Sequence, residues 1–172
     1  MGFKHVGKSI IGKNLARRLN RLFIDLDHQI ELAYENKFNK KYNCRQIMQK
    51  VGQDNFRCLE VNVLRQMIDL KPSVISLGGG TVLHPENRKL IQSCLVVYIT
   101  APRDVVFERI LMGGRPAFLN PEKDLLQSFN QLWNERKIVF ESIQNYSIMN
   151  DTTVENAVDE ILKKLNEYIR ND

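Results

Sequence analysis

The chain has 172 residues, 43% hydrophobic and 26% charged, with a net charge of +5. That suits a single globular domain of 1–172 with a sizeable core. No apolar run approaches a bilayer span, no secretory signal precedes the first motif, and Cys44, Cys58 and Cys94 offer neither a disulfide framework nor zinc spacing.

The expectation is therefore a cytoplasmic protein that meets no membrane. Met1-Gly2 invites a myristoylation check, but Val6 stands where that signal wants Ser or Thr. Basic residues are spread along the chain, and RNA-binding aromatic signatures are missing. The positive charge thus points to anionic small molecules and not to nucleic acid.

The first stretch, Gly2-Phe3-Lys4-His5-Val6-Gly7-Lys8-Ser9, fits the phosphate-loop pattern G-x-x-x-x-G-K-[ST]. Gly2 and Gly7 let backbone N–H groups close on a triphosphate. Lys8 reaches the β- and γ-phosphates, and the Ser9 hydroxyl can ligate Mg²⁺. Ile10, Ile11, Asn14, Leu15, Arg18 and Leu19 predict the helix that should follow. A strand should precede the loop, and only Met1 does. The expectation is that Met1 is not the native start or that the first strand has been lost. An extension of about seven to ten apolar residues would supply it. Ser73–Leu77 and Leu95–Ile99 should then not hydrogen-bond to each other, lying about 9–10 Å apart, with Gly2 still at the phosphate site.

Further along, Leu22–Ile24 predicts a strand that ends in Asp25 and Asp27. Two apart on a regular strand, these carboxylates would share a face, either presented to a ligand or solvated at a strand end. Helices are predicted over His28–Glu35, Arg45–Val51 and Asp54–Leu70, the last stopped by Pro72, with Phe38–Asn43 as a loop. Ser73–Leu77 reads as a buried strand running into Gly78-Gly79-Gly80, which is either a plain turn or a place where backbone meets ligand. Then come a helix Pro85–Gln92, a strand Leu95–Ile99, a helix from Pro102 to Gly113-Gly114, a loop Arg115–Glu122, a helix Asp124–Ile143, a strand Tyr146–Ile148 and a helix Val154–Ile169. Strands alternating with helices predict a three-layer α/β fold, a parallel sheet flanked by helices.

Arg57, Arg115 and Arg136 are ambiguous in isolation. Glu60 lies three residues beyond Arg57 and can hold its guanidinium, and Phe56 can anchor the helix beside it. Arg115 lies after a Gly-Gly hinge in the segment with lid-like composition, about 112–122.

The stretches GFKHVGKS, FIDLD, GQDNFR, SLGGGTV, GGRPAF and NERKIVF, in this order over nearly the whole chain, resemble the shikimate kinase family. The resemblance implies a P-loop NTPase fold like that of the nucleoside-monophosphate kinases, here without its first, central strand. It implies a monomeric kinase that phosphorylates the 3-hydroxyl of shikimate with ATP and Mg²⁺. Gly2, Gly7, Lys8 and Ser9 would bind ATP, with Ser9 and Asp25 placing the metal. Asp27 would bind the ring hydroxyls and take the proton. Arg57 and Arg136 would grip the carboxylate, and Gly78, Gly79 and Gly80 would pass close to the ring. Arg115 would close onto the γ-phosphoryl and Arg109 would lie against the adenine.

The chain departs from the family pattern at His5 for glycine, at Gln53 for glutamate, in Lys137–Phe140, and in a lid a residue or so short. Three other readings compete: another metabolite kinase for gluconate or a nucleotide, an inactive nucleotide-binding chain, and a nucleic-acid binder. The arginine pair suits a carboxylate and not a neutral sugar, which leaves gluconate, itself a carboxylate, to be excluded by assay, and Asp27 has no use in a mere sensor.

Overall fold

The polypeptide alternates between short parallel strands and helices in the computed structural model, which describes residues 1–70, 72–112 and 124–171. It forms two compact units, one of Met1–Ile11 with Leu95–Asp172 and one of Gly12–Cys94. The lid and Arg115 lie outside the described residues.

In the Gly12–Cys94 unit, β1 (Leu22–Asp25) pairs in parallel with β2 (Ser73–Ser76), Ile24 opposite Ile75. The helix α1 (Lys8–Arg18) presents Leu15 and Ala16 inward. Gly12 allows a close approach, since a Cβ there would lie 2.9 Å from the Phe23 ring. Next, α2 (Leu26–Phe38) buries Leu26, Ile30 and Tyr34 at four-residue intervals, and Asn39 ends it in the left-handed conformation. A reciprocal cap between Asn43 and Gln46 starts α3 (Cys44–Val51). The longer α4 (Gln53–Ile68) buries Phe56, Val61, Val63 and Leu64, with one charged group, Glu60, among them. After β2 come a 3₁₀ turn at Thr81–Leu83, which the sequence did not announce, and α5 (Pro85–Leu90).

In the other unit, β3 (Val97–Thr100) pairs in parallel with β4 (Tyr146–Met149). On β3, the Met1 nitrogen donates to Val97 O at 2.8 Å and Ile99 N–H donates to Met1 O at 2.8 Å, so Met1 lies beside the strand in parallel register. Helices α6 (Arg103–Met112), α7 (Leu125–Ile143) and α8 (Val154–Asn171) complete it. Asp124 caps α7 by accepting from Gln127 N–H. The core is aromatic: Phe3 stacks on Trp133 with centroids 4.2 Å apart and meets Phe140 edge-on at 5.2 Å.

β2 and β3 belong to different sheets, as expected. One expectation needs correction. Asp25 and Asp27 do not share a strand face, because β1 ends at Asp25 and Asp27 lies in the first turn of α2. The wholly buried Leu26 starts the inward stripe that continues at Ile30, so the helical period takes over directly after Asp25. Ile10 points to solvent, while Ile11 is buried.

Candidate active site

The phosphate loop is anchored by its own variable positions. Phe3 and Val6 are buried and act as apolar pins, while Lys4 and His5 between them are exposed. Gly2 passes so close to β3 that a Cβ would run into the Ile99 carbonyl oxygen. Gly7 has φ +90°, a conformation that side chains rarely adopt. Its carbonyl accepts from Ile11 N–H at 3.0 Å, opening α1, so Lys8 and Ser9 occupy the first helical turn, where the helix dipole favours anions.

Among the described residues three side chains hold carbonyls of this loop. Lys8 Nζ donates to Phe3 O at 2.6 Å, Arg109 Nη1 to His5 O at 3.1 Å, and Asn150 Nδ2 to Val6 O at 3.0 Å. The structure thus brings Gly2, Gly7, Lys8, Ser9 and Arg109 together in one unit, with Arg109 on the loop backbone. Sequence reasoning missed Phe3, Val6 and Asn150. Two apolar residues three apart inside a polar loop were the available signal for the first two, and Asn150 left none.

His5 stands at φ +65°, so the departure from glycine falls at a left-handed position, which costs a side-chain-bearing residue about 1–2 kcal/mol. Partial desolvation of the ring first, exposed though the residue is, then the charges of Lys4, Lys8 and Arg109, hold its imidazole pKa below the usual value.

The Gly12–Cys94 unit builds the other constellation. Arg57 Nη1 donates to Glu60 Oε2 at 2.7 Å, and its guanidinium lies over the Phe56 ring at 5.5 Å. Glu60 also accepts from Thr81 Oγ1 at 2.8 Å and from Asn87 Nδ2 at 3.1 Å, and Asn87 Nδ2 reaches Thr81 O at 2.8 Å. This buried network fastens α4 to the turn after β2 and aims Arg57. Gln53 is exposed at the start of α4, outside this buried network, whose one carboxylate is Glu60. The sequence indicated the pair of Arg57 and Glu60. It did not indicate Thr81 or Asn87, which only the turn geometry delivers.

The triple glycine makes room for these groups. A Cβ on Gly78 would lie 2.6 Å from Asp27 Oδ1, and one on Gly80 would lie 2.9 Å from Arg57 Nη2. Thr81 N–H donates to Gly78 O at 3.2 Å and closes the turn around Gly79. Asp27 stands at the N-terminal end of α2, where the helix dipole favours negative charge. Below it Cys44 Sγ donates to Asp27 O at 3.3 Å, and Cys44 N–H donates to Glu31 Oε1 at 3.0 Å. Burial first, then the Asp27, Glu31 and Glu60 carboxylates, push the Cys44 thiol pKa far up, so it stays protonated and unreactive. Asp25 ends β1 in the same unit, and Arg136 lies half-buried on α7 of the other.

A shikimate kinase family model matches residues 4–166. A shikimate kinase from Macrococcus caseolyticus is 32% identical over 163 residues, covering 94% of this chain and 91% of that protein. A Thermus thermophilus shikimate kinase is 34% identical over 167 residues, covering 95% and 86%. A bifunctional shikimate kinase/3-dehydroquinate synthase of Thermotoga maritima is 31% identical over 137 residues, and the chain spans only 26% of its length. Among solved structures, the Acinetobacter baumannii shikimate kinase in complex with shikimate superposes with TM-score 0.80 at 27% identity, covering 99% of this chain and 91% of that one. With a phosphate loop at one end of its motif series and a carboxylate and guanidinium seated on a triple glycine in the middle, this chain belongs to the shikimate kinase family.

Proposed function

We propose that the chain transfers the γ-phosphoryl group of ATP to the 3-hydroxyl of shikimate, giving shikimate 3-phosphate for aromatic amino-acid biosynthesis. The observation that carries this reading is the seating of Asp27 and Arg57 against Gly78 and Gly80. A carboxylate suited to a hydroxyl and a guanidinium suited to a carboxylate thus lie beside one turn, and shikimate carries both groups.

Phosphoryl transfer needs positioning and charge neutralisation more than covalent help. Loop N–H groups of Gly2–Lys8 and the Lys8 ammonium receive the phosphates, while Arg115 and Arg109 act on the γ-phosphoryl and the adenine. Arg57, held by Glu60, and Arg136 grip the acceptor carboxylate. Gly79 and its neighbours line the ring, and Asp27 takes the 3-hydroxyl proton as the new P–O bond forms and ADP leaves.

Ser9 and Asp25 offer oxygen donors, which fit Mg²⁺. Among the described residues no group of three or more His, Cys, Asp or Glu could hold a metal by itself; Ser9 and Asp25 are the residues that would hold the ion. Bound there, the ion would neutralise β- and γ-phosphate charge.

The reading includes a cytoplasmic monomer that binds neither nucleic acid nor membrane. No described helix is long and apolar enough to cross a bilayer. A coupled ADP-release assay with shikimate, gluconate and a nucleoside monophosphate side by side tests it. Turnover with shikimate alone is expected, and comparable turnover with either of the others overturns the acceptor assignment.

A further inference from the structure

A phosphate-binding loop turns its N–H groups inward only if its carbonyls turn outward, and each outward carbonyl then needs a donor. In this loop the donors to Phe3 O and His5 O are Lys8 and Arg109, cations on long flexible stems. The donor to Val6 O is Asn150, 144 residues away, a short neutral side chain. Its own backbone is fixed, because Asn150 N–H donates to Thr100 O at 2.7 Å just beyond β4.

The Val6 carbonyl and the Gly7 N–H belong to one planar peptide unit and point in opposite directions. Holding the oxygen therefore fixes the direction of the N–H. Val6 is buried, which pins one end of that unit. At the other end a Cβ on Gly7 would lie 2.7 Å from Asn150 Nδ2, so the amide fills the space that a side chain at position 7 would need.

We propose that Asn150 is a positioning residue of the phosphate loop, holding the Val6 carbonyl so that the Gly7 N–H faces a bound triphosphate. This rests on the reading of the loop as a nucleoside-triphosphate site. It also gives Gly7 a second role beside its backbone conformation, as the gap into which the Asn150 amide fits.

Inorganic tripolyphosphate, which has no base, is the probe. By calorimetry, Asn150→Leu, similar in size but without a donor, is expected to lose about tenfold in affinity for both tripolyphosphate and ATP, the loss of one hydrogen bond to a fixed charge-binding group. Shikimate affinity without nucleotide should stay within about twofold, and hydrogen exchange at the Gly7 amide should quicken. Asn150→Asp keeps the shape, cannot donate when ionised, and should lose at least as much; it also serves if the leucine variant does not fold.

Tripolyphosphate affinity within about twofold of wild type in the folded variant overturns the proposal, as does weakened ATP binding with tripolyphosphate unaffected. An equal loss for shikimate and tripolyphosphate overturns it too, because that marks general loosening. Wild-type protein that binds neither ATP nor tripolyphosphate overturns the nucleotide reading itself, a result distinct from all of these.

Discussion

Arg57 and Gly80 share one space: a Cβ on the glycine would lie 2.9 Å from Nη2 of the arginine, whose other terminal nitrogen is held by Glu60 at 2.7 Å. The ion pair with Glu60 restrains how far the guanidinium can move aside. Gly80 itself has φ −112°, which any residue adopts, so the requirement is spatial and not conformational.

Gly80→Ala is accordingly expected to displace Arg57 while the turn survives. Shikimate binding should weaken about tenfold, less than the roughly 2–5 kcal/mol that losing the charge in Arg57→Ala would cost, with ATP affinity unchanged. Calorimetry with each ligand separately reads this, and normal shikimate binding in both variants would remove Arg57 from the acceptor site.

The same logic applies to Gly78 and Asp27, with 2.6 Å between the added Cβ and Oδ1. Gly78→Ala should lower kcat by pushing the carboxylate aside. Asp27→Asn should fold normally and lose about 10²–10⁴-fold in kcat, because an amide is a poor proton acceptor. Steady-state kinetics beside a thermal melt separates lost chemistry from lost structure. Near-normal turnover in Asp27→Asn would leave this residue a binding role only.

Glu60 is buried and holds three donors, on Arg57, Thr81 and Asn87. Glu60→Ala strands Thr81 and Asn87 in the interior and should destabilise the fold by about 2–3 kcal/mol in urea unfolding; Arg57 is partly exposed, which keeps this below the full cost of breaking a buried pair. Glu60→Gln can still accept and should lose about half as much. A double-mutant cycle with Arg57→Ala isolates the pair, and zero coupling would show that Glu60 does not aim the arginine.

His5 makes the phosphate loop sensitive to pH. Its pKa is depressed in the folded chain, so the unfolded chain binds the proton more readily. Its contribution to stability is therefore present above about pH 6.5 and lost as the pH falls from there through the folded pKa. A bound triphosphate reverses the local field. From about pH 7.5 to about pH 6, ATP affinity of the wild type should gain about threefold relative to His5→Gln, the scale of a solvent-screened ion pair. Parallel pH profiles for the two proteins would mean that the imidazole does not sense the phosphates.

By itself the sequence determined the alternation of strands and helices, the phosphate loop, and the pairing of Arg57 with Glu60. These are local: apolar periodicity, glycine spacing and a separation of three residues on a helix all act within a few turns of chain. The tertiary structure decided what distant segments share. Asp27 left the strand because burying Leu26 and Ile30 together required a helix. Gly78 and Gly80 turned out to be spaces for Asp27 and Arg57, contacts made across 51 and 23 residues of sequence. Asn150 and Arg109 reach loop carbonyls from 144 and 104 residues away. No local pattern encodes such contacts, since a buried polar atom finds its partner only after packing has brought the two together.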